Sequence, residues 1–121
     1  MNAFKIILPI VEPNEPPRVD VHYEWTQYAL WLSGRYGLDN VDGHEIGLSP
    51  ELVHDLLEWC SAEDALFNQN DPANSPSTDG YLQNGFELAK RVRAELPAEW
   101  IVTTTDPVSR TDVVLSLAES P

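Results

Sequence analysis

Apolar and polar positions alternate most cleanly near the start of the chain. Val19, Val21, Tyr23 and Trp25 interleave with Arg18, Asp20, His22 and Glu24. A period of two over these positions predicts a strand with one buried face and one wet face. Before it, residues 4–11 are apolar and rich in β-branched side chains, which predicts a buried strand with Pro9 near its end. The stretch Glu12–Pro17 holds Pro13, Pro16 and Pro17 and reads as a stiff extended connection. After a turn at Thr26-Gln27, Tyr28–Leu32 predicts a second strand. Ser33–Gly47 contains Gly34, Gly37, Gly43 and Gly47 and no sustained period, so it reads as a loop.

The period then changes to that of a helix. Ser49 can cap, Pro50 suits the first helical position, and Glu51 favours the positive end of the helix dipole. Leu52, Val53, Leu56, Leu57 and Cys60 recur at helical spacing, which predicts a helix to about Leu66. Asn68–Pro76 reads as a polar loop around Asp71-Pro72. A second helix is expected from Thr78 or Asp79, with Leu82, Phe86, Ala89, Val92 and Leu96 as its apolar stripe and Pro97 as its stop. Trp100–Thr105 reads as a strand, Asp106-Pro107 as a turn, and Val113–Leu117 as a partner strand. The sum is an α+β fold: a small antiparallel sheet with two amphipathic helices packed on one face. Leu52, Leu56, Phe86, Ala89, Val92, Val21 and Tyr23 are expected to share its core.

Length and composition fit this picture. A chain of 121 residues with 42% hydrophobic content suits a single domain, 1–121, around one core. Cys60 is the sole cysteine, so no internal disulfide can form. The N-terminal apolar run is too short for a signal sequence, and no stretch approaches the ~20 apolar residues of a membrane span. The expected location is the cytoplasm.

Charge sharpens the reading. The formal net charge is −13, with 20 acids against 7 Lys and Arg. Nucleic acid and anionic membranes are poor partners for such a surface. The acids are also unevenly placed, because no Lys or Arg lies between Arg35 and Lys90. That interval holds Asp39, Asp42 and Glu45 in the predicted loop and Glu51, Asp55 and Glu58 on the first helix. Glu63 and Asp64 follow near the end of that helix, and Asp71 lies in the next loop. On a helical wheel Glu51, Asp55 and Glu58 fall within about 60° of one another, away from the Leu52–Leu57 stripe. No Lys or Arg sits at i+3 or i+4 from them, so the ridge is expected to carry unpaired charge. Trp59 lies at its seam, where an aromatic can anchor a protein partner. The second helix offers Glu87 to Arg91 at i,i+4. The competing reading is a solvated acidic face with Trp59 closing the core.

Catalytic and metal motifs are absent. His22, His44, His54 and Cys60 do not follow zinc-ligand spacing. Asp39-Asn40-Val41-Asp42-Gly43 fails the calcium-loop register, because Leu38 stands where an acid is needed. No nucleophile elbow, phosphate loop or dinucleotide fingerprint occurs. Cys60 sits on an apolar stripe, where a thiol is packing. The expectation is a non-enzyme with no cofactor and no metal.

From Leu48 onward the chain resembles a group of small acidic bacterial proteins. The matching residues are Leu48-Ser49-Pro50-Glu51-Leu52, Leu56, Trp59, Leu66-Phe67-Asn68 and Asp71-Pro72. They continue with Gly85, Leu88-Ala89, Arg93, Leu96 and Trp100. The resemblance spans about half of the chain and leaves the first 35 residues outside it. Such proteins look like immunity proteins encoded beside secreted toxins. This chain departs from them at Asn68-Gln69-Asn70, where relatives often carry Trp and a second Asp before Asp-Pro. If that loop touches a partner, the partner differs here.

Two functions follow. In the first, the chain binds and neutralises a cognate basic toxin, with a nuclease favoured because phosphate-binding enzymes are basic. Its acids Asp39, Asp42, Glu45, Glu51, Asp55, Glu58, Glu63, Asp64 and Asp71, with Trp59, would then meet the partner. The alternative is an acidic adaptor or assembly subunit of a cytoplasmic complex with no toxin partner.

Overall fold

The computed structural model describes residues 8–23, 28–66 and 81–116, the side chains of 63–66 and 81 excepted. The alternating segment becomes the central strand of a five-stranded sheet. β1 (Pro17–Val21) pairs antiparallel with β2 (Leu30–Gly34), which pairs antiparallel with β3 (Asp39–Val41). On its other side β1 pairs in parallel with β4 (Ile101–Thr105), and β4 pairs antiparallel with β5 (Asp112–Leu115). The order is therefore β3-β2-β1-β4-β5. The fold is α+β as expected, with one difference: the central pair is parallel. A parallel pair needs a long crossover, and the helical half of the chain lies between β1 and β4.

Helix α1 (Pro50–Leu66) and helix α2 (Tyr81–Glu95) form a layer on one face. Val19, Val21, Leu30, Leu32, Val41 and Val102 point into it from the sheet. Leu52, Leu56, Trp59, Ala89 and Val92 meet them from the helices, and Leu96 from just beyond α2, in one core. Burying each Val, Leu or Ile is worth roughly 1.5–3 kcal/mol, so this cluster is the main stabilising feature. Six of the seven residues expected in the core lie there. Phe86 does not: it is half-buried, with the Lys90 Nζ 5.5 Å from its ring centre. α2 is turned so that Gly85 faces Trp59. A Cβ on Gly85 would stand 2.6 Å from the indole Cζ2, so only glycine lets the ring approach this closely.

The helix start is as predicted. The Ser49 Oγ accepts from the Leu52 amide at 3.3 Å, and Pro50 opens α1. Other boundaries move. Residues 8–11 are not a strand; Ile10 and Val11 are exposed, and the Val11 amide donates to the Arg35 carbonyl at 2.8 Å. Residues 4–7, the Thr26-Gln27 turn and the Asn68–Pro76 loop lie outside the described residues. The interval 33–47 is more ordered than a loop. It contains the end of β2, all of β3, and a 3-10 helix at Gly43–Ile46 that ends on Gly47 in the left-handed conformation, φ 84°. Asp106 does turn the chain: its Oδ1 accepts from the Val108 and Ser109 amides at 2.8 and 2.9 Å. Those amides hold its carboxyl below the ordinary aspartate range.

Candidate functional site

The predicted site residues separate into three groups. The first lies between the helices, on the side facing away from the sheet. Asp55, Glu58, Trp59, Asn84, Glu87 and Arg91 line a groove of about 430 Å³. Asp55 and Glu58 come together here as the helical wheel implies, but the charge of Asp55 is not left unpaired. The Arg91 Nη1 lies 2.7 Å from the Asp55 Oδ2, an ion pair that ties α2 to α1. Glu58 lies 3.8 Å from the His54 Nε2 one turn earlier. Glu87 takes Lys90 at 3.0 Å and the Gln83 amide at 2.9 Å, so the expected Glu87–Arg91 pair gives way to a pair between helices. Trp59 is 9% exposed and meets Tyr23 edge-on, with ring centres 6.3 Å apart. It is the floor of the groove and a core residue, not a projecting anchor. Glu51 is exposed in the first turn of α1.

The second group serves local structure. Asp42 caps the 3-10 helix, accepting from the His44 amide at 3.0 Å, while the Glu45 Oε2 accepts from the Asp42 amide at 3.1 Å. This reciprocal capping box satisfies amides that the first turn leaves open. The His44 Nδ1 also lies 3.1 Å from the Asp42 Oδ1. Both carboxylates thus have work inside the fold.

Asp39 belongs to the third place, on the opposite side of the molecule. The sheet face away from the helices is uncovered by any described element. Register sets Asn40, Trp31, Asp20, Thr103 and Val114 in one row across it. Beside that row lies a cavity of about 450 Å³ lined by Asp20, Trp31, Ser33, Leu38, Asp39 and Asn40. Leu38 is 90% exposed and Val114 66%. Asp20 accepts from the Thr103 hydroxyl at 2.7 Å. Burial nevertheless pushes its carboxyl above the ordinary aspartate range, and the nearby Asp112 adds to the rise.

Glu63 and Asp64 lie on α1, but their side chains are outside the described residues, as is all of Asp71. Among the described residues, the predicted acids are spread over three places and not gathered into one patch. Sequence reasoning passed over Trp31 and Leu38. The alternation of β1 placed Asp20 on a wet face, and extending it through the pairing with β2 would have found Trp31. Leu38 lay in an interval read as loop and gave no signal. Glu95 was also passed over. Its two oxygens accept from the Ser49 amide and hydroxyl, each at 2.7 Å.

Arg93, one of three cations clustered on α2, is not a surface charge. It is buried, and its guanidinium donates to the carbonyls of Trp100, Leu96 and Pro97. Among the described residues no three His, Cys, Asp or Glu side chains gather as a metal requires. No described helix is long and apolar enough to cross a membrane.

Among the described residues the arrangement offers binding surfaces, and no nucleophile stands paired with a base there. No curated protein matches the chain. A family described as Serratia CdiI immunity protein-like matches residues 17–107, from the first residue of β1 into the turn after β4. The match reaches well upstream of Leu48 and takes in the central sheet. The chain belongs to the Serratia CdiI immunity protein-like family.

Proposed function

We propose that this chain is an immunity protein that binds a cognate toxin in the cytoplasm and neutralises it by occupying its surface, without catalysis and without a cofactor. Family membership over residues 17–107 is the observation that carries this reading. The partner is a protein. The net charge of −13 supports a basic one, because opposite charge speeds capture and suppresses wrong encounters. A nuclease is favoured among basic toxins, since a groove that holds phosphates must be positive. An acidic adaptor would share the charge but not the family.

The surface acids have two parts in this reading. Asp42, Glu45 and Asp55 are engaged within the fold, so they add to the field but are poorly placed for new contacts. Glu51 and Glu58 are exposed and free to act at long range. The test is protection. The open reading frame beside this gene should encode a toxin domain: cells producing it should stop growing, and co-production of this chain should restore colony formation. The purified pair should also form a complex that weakens as salt rises. Continued killing together with no complex at low salt would refute the reading.

A further inference from the structure

The open sheet face has the character of a contact site that charge alone does not explain. Its cavity combines two aliphatic or aromatic walls, Trp31 and Leu38, with two carboxylates, Asp20 and Asp39. Leu38, 90% exposed, stands beside the Trp31 indole and is rimmed by polar groups, the make-up of an interaction site. We propose that this face is where the toxin docks: a lysine or arginine of the toxin domain enters the cavity, laying its aliphatic stem between Trp31 and Leu38 and its charged head toward Asp20 and Asp39. The proposal rests on the toxin-neutralising reading and names the surface that performs it.

Three observations favour a basic side chain as the occupant. First, the shape of the chemistry fits. Long cationic side chains bury an apolar stem while keeping a charged head, and a guanidinium or ammonium is also drawn to the face of an indole. Second, the cavity walls other than Leu38 are held by hydrogen bonds. The Trp31 Nε1 donates to the His22 carbonyl at 3.1 Å, and the Asn40 Nδ2 donates to the Tyr28 and Leu30 carbonyls at 2.9 and 3.2 Å. Asp39 is held by the Asn40 amide at 2.9 Å, and Asp20 by the Thr103 hydroxyl. A site whose groups are held before binding loses little freedom when the ligand arrives. Third, burial holds Asp20 where its charge is disfavoured; the Thr103 hydrogen bond and His22 offset this only in part, and Asp112 adds a smaller repulsion. A cation in the cavity relieves that cost. The groove between the helices lacks these features, because Arg91 already occupies Asp55.

The test uses two gentle substitutions, Leu38→Ala and Asp39→Asn, in the full chain. Leu38 is exposed, and asparagine keeps an oxygen for the Asn40 amide, so thermal melting should be unchanged. Binding to the toxin domain encoded beside the gene should weaken at least tenfold in the double variant, mainly through faster dissociation, as expected for a central anchor. A change under about threefold with intact folding overturns the proposal. If that domain does not bind the unaltered chain at all, the toxin-neutralising reading fails, and the cavity is judged separately. Acetyl-Arg-Ser-Arg-amide titrated into the 15N-labelled chain should then shift the Trp31 indole and the Leu38 and Asp39 amides. Shifts confined to α1 and α2, or none at all, overturn the proposal.

Discussion

Arg93 is a charged side chain that is buried and bonded to three backbone carbonyls. Three cations close together on α2 look like partners for a surplus of acids, yet Arg93 turns inward and holds the end of its own helix. Helix C-termini leave carbonyls without partners. Arg93 bonds the Leu96 and Pro97 carbonyls at 3.2 and 2.6 Å, and its bond to the Trp100 carbonyl fixes the entry to β4. Trp100 in turn stacks on Tyr36, with ring centres 5.8 Å apart. Arg93→Met keeps the stem and removes the donors. It should cost about 2–3 kcal/mol in urea unfolding, since hydrogen bonds from a charged group are each worth roughly 1.5–3 kcal/mol and are not additive. Arg93→Lys should cost nearly as much, because a single ammonium cannot reproduce the fork. Asp20 has the opposite character, a side chain whose charge the fold tolerates at a cost. Its carboxyl binds a proton more tightly in the folded chain than in the unfolded one. Stability therefore falls as pH rises from 3.8 through the raised folded value, and the cost is fully present above that value. Asp20→Asn retains an acceptor for Thr103 and removes the titration. Its melting temperature relative to the unaltered chain should rise with pH over that window and level off above it. A difference that stays constant across the window would show that burial does not strain this carboxyl.

At the scale of elements, the two helices are joined by polar contacts as well as by the core. Glu95 sits in the last turn of α2, where the helix dipole disfavours an acid. It is stable there because both its oxygens reach the N-terminus of α1 at Ser49. One carboxylate thus completes the cap of a different helix. Glu95→Ala should destabilise by about 1 kcal/mol, the size of a lost cap, although it removes an acid from an unfavourable end. A gain in stability by chemical denaturation would mean that the dipole term outweighs the cap. The helices themselves were legible because Ser49-Pro50-Glu51 and the Leu52–Cys60 spacing are local signals. β1 and β4 were legible for the same reason. β3 was not: three residues between glycines carry no period, and the strand exists because Leu30 and Leu32 offer it an edge. The parallel pairing of β1 with β4 was equally hidden, since register between distant segments leaves no local trace. The residues behind the family resemblance turn out to be mostly core and caps. Leu52, Leu56, Trp59, Ala89, Leu96 and Trp100 are buried, Ser49 caps, Gly85 admits Trp59, and Arg93 closes α2. They report the fold, whereas the proposed docking face rests on geometry.

For the molecule as a whole, the exposed acids of α1 and the proposed contact site lie on different faces. The exposed acids of α1 lie on the helical side, and the cavity at Trp31 lies on the bare side of the sheet. A field acts at a distance, so the two need not coincide for both to serve capture. Screening lengths are about 10 Å at 0.1 M salt and about 30 Å at 0.01 M, so acids across a small protein influence approach only at low salt. The clean variant is Glu51→Lys with Glu58→Lys. Both side chains are exposed, and Glu58 loses only a long contact with His54. Reversing Asp55 would instead set a lysine against Arg91 and lower stability, so it cannot isolate steering. With the toxin domain as partner, the double reversal should slow association by about tenfold near 0.01 M salt and by less than about threefold near 0.15 M. Dissociation should hardly change, because the reversed residues do not touch the proposed docking face. Stopped-flow association and surface-based dissociation measure the two rates independently. If dissociation accelerates as strongly as association slows, α1 lies in the interface itself and the division of labour between the faces is wrong. If neither rate moves at low salt, the acids of α1 only keep the protein in solution.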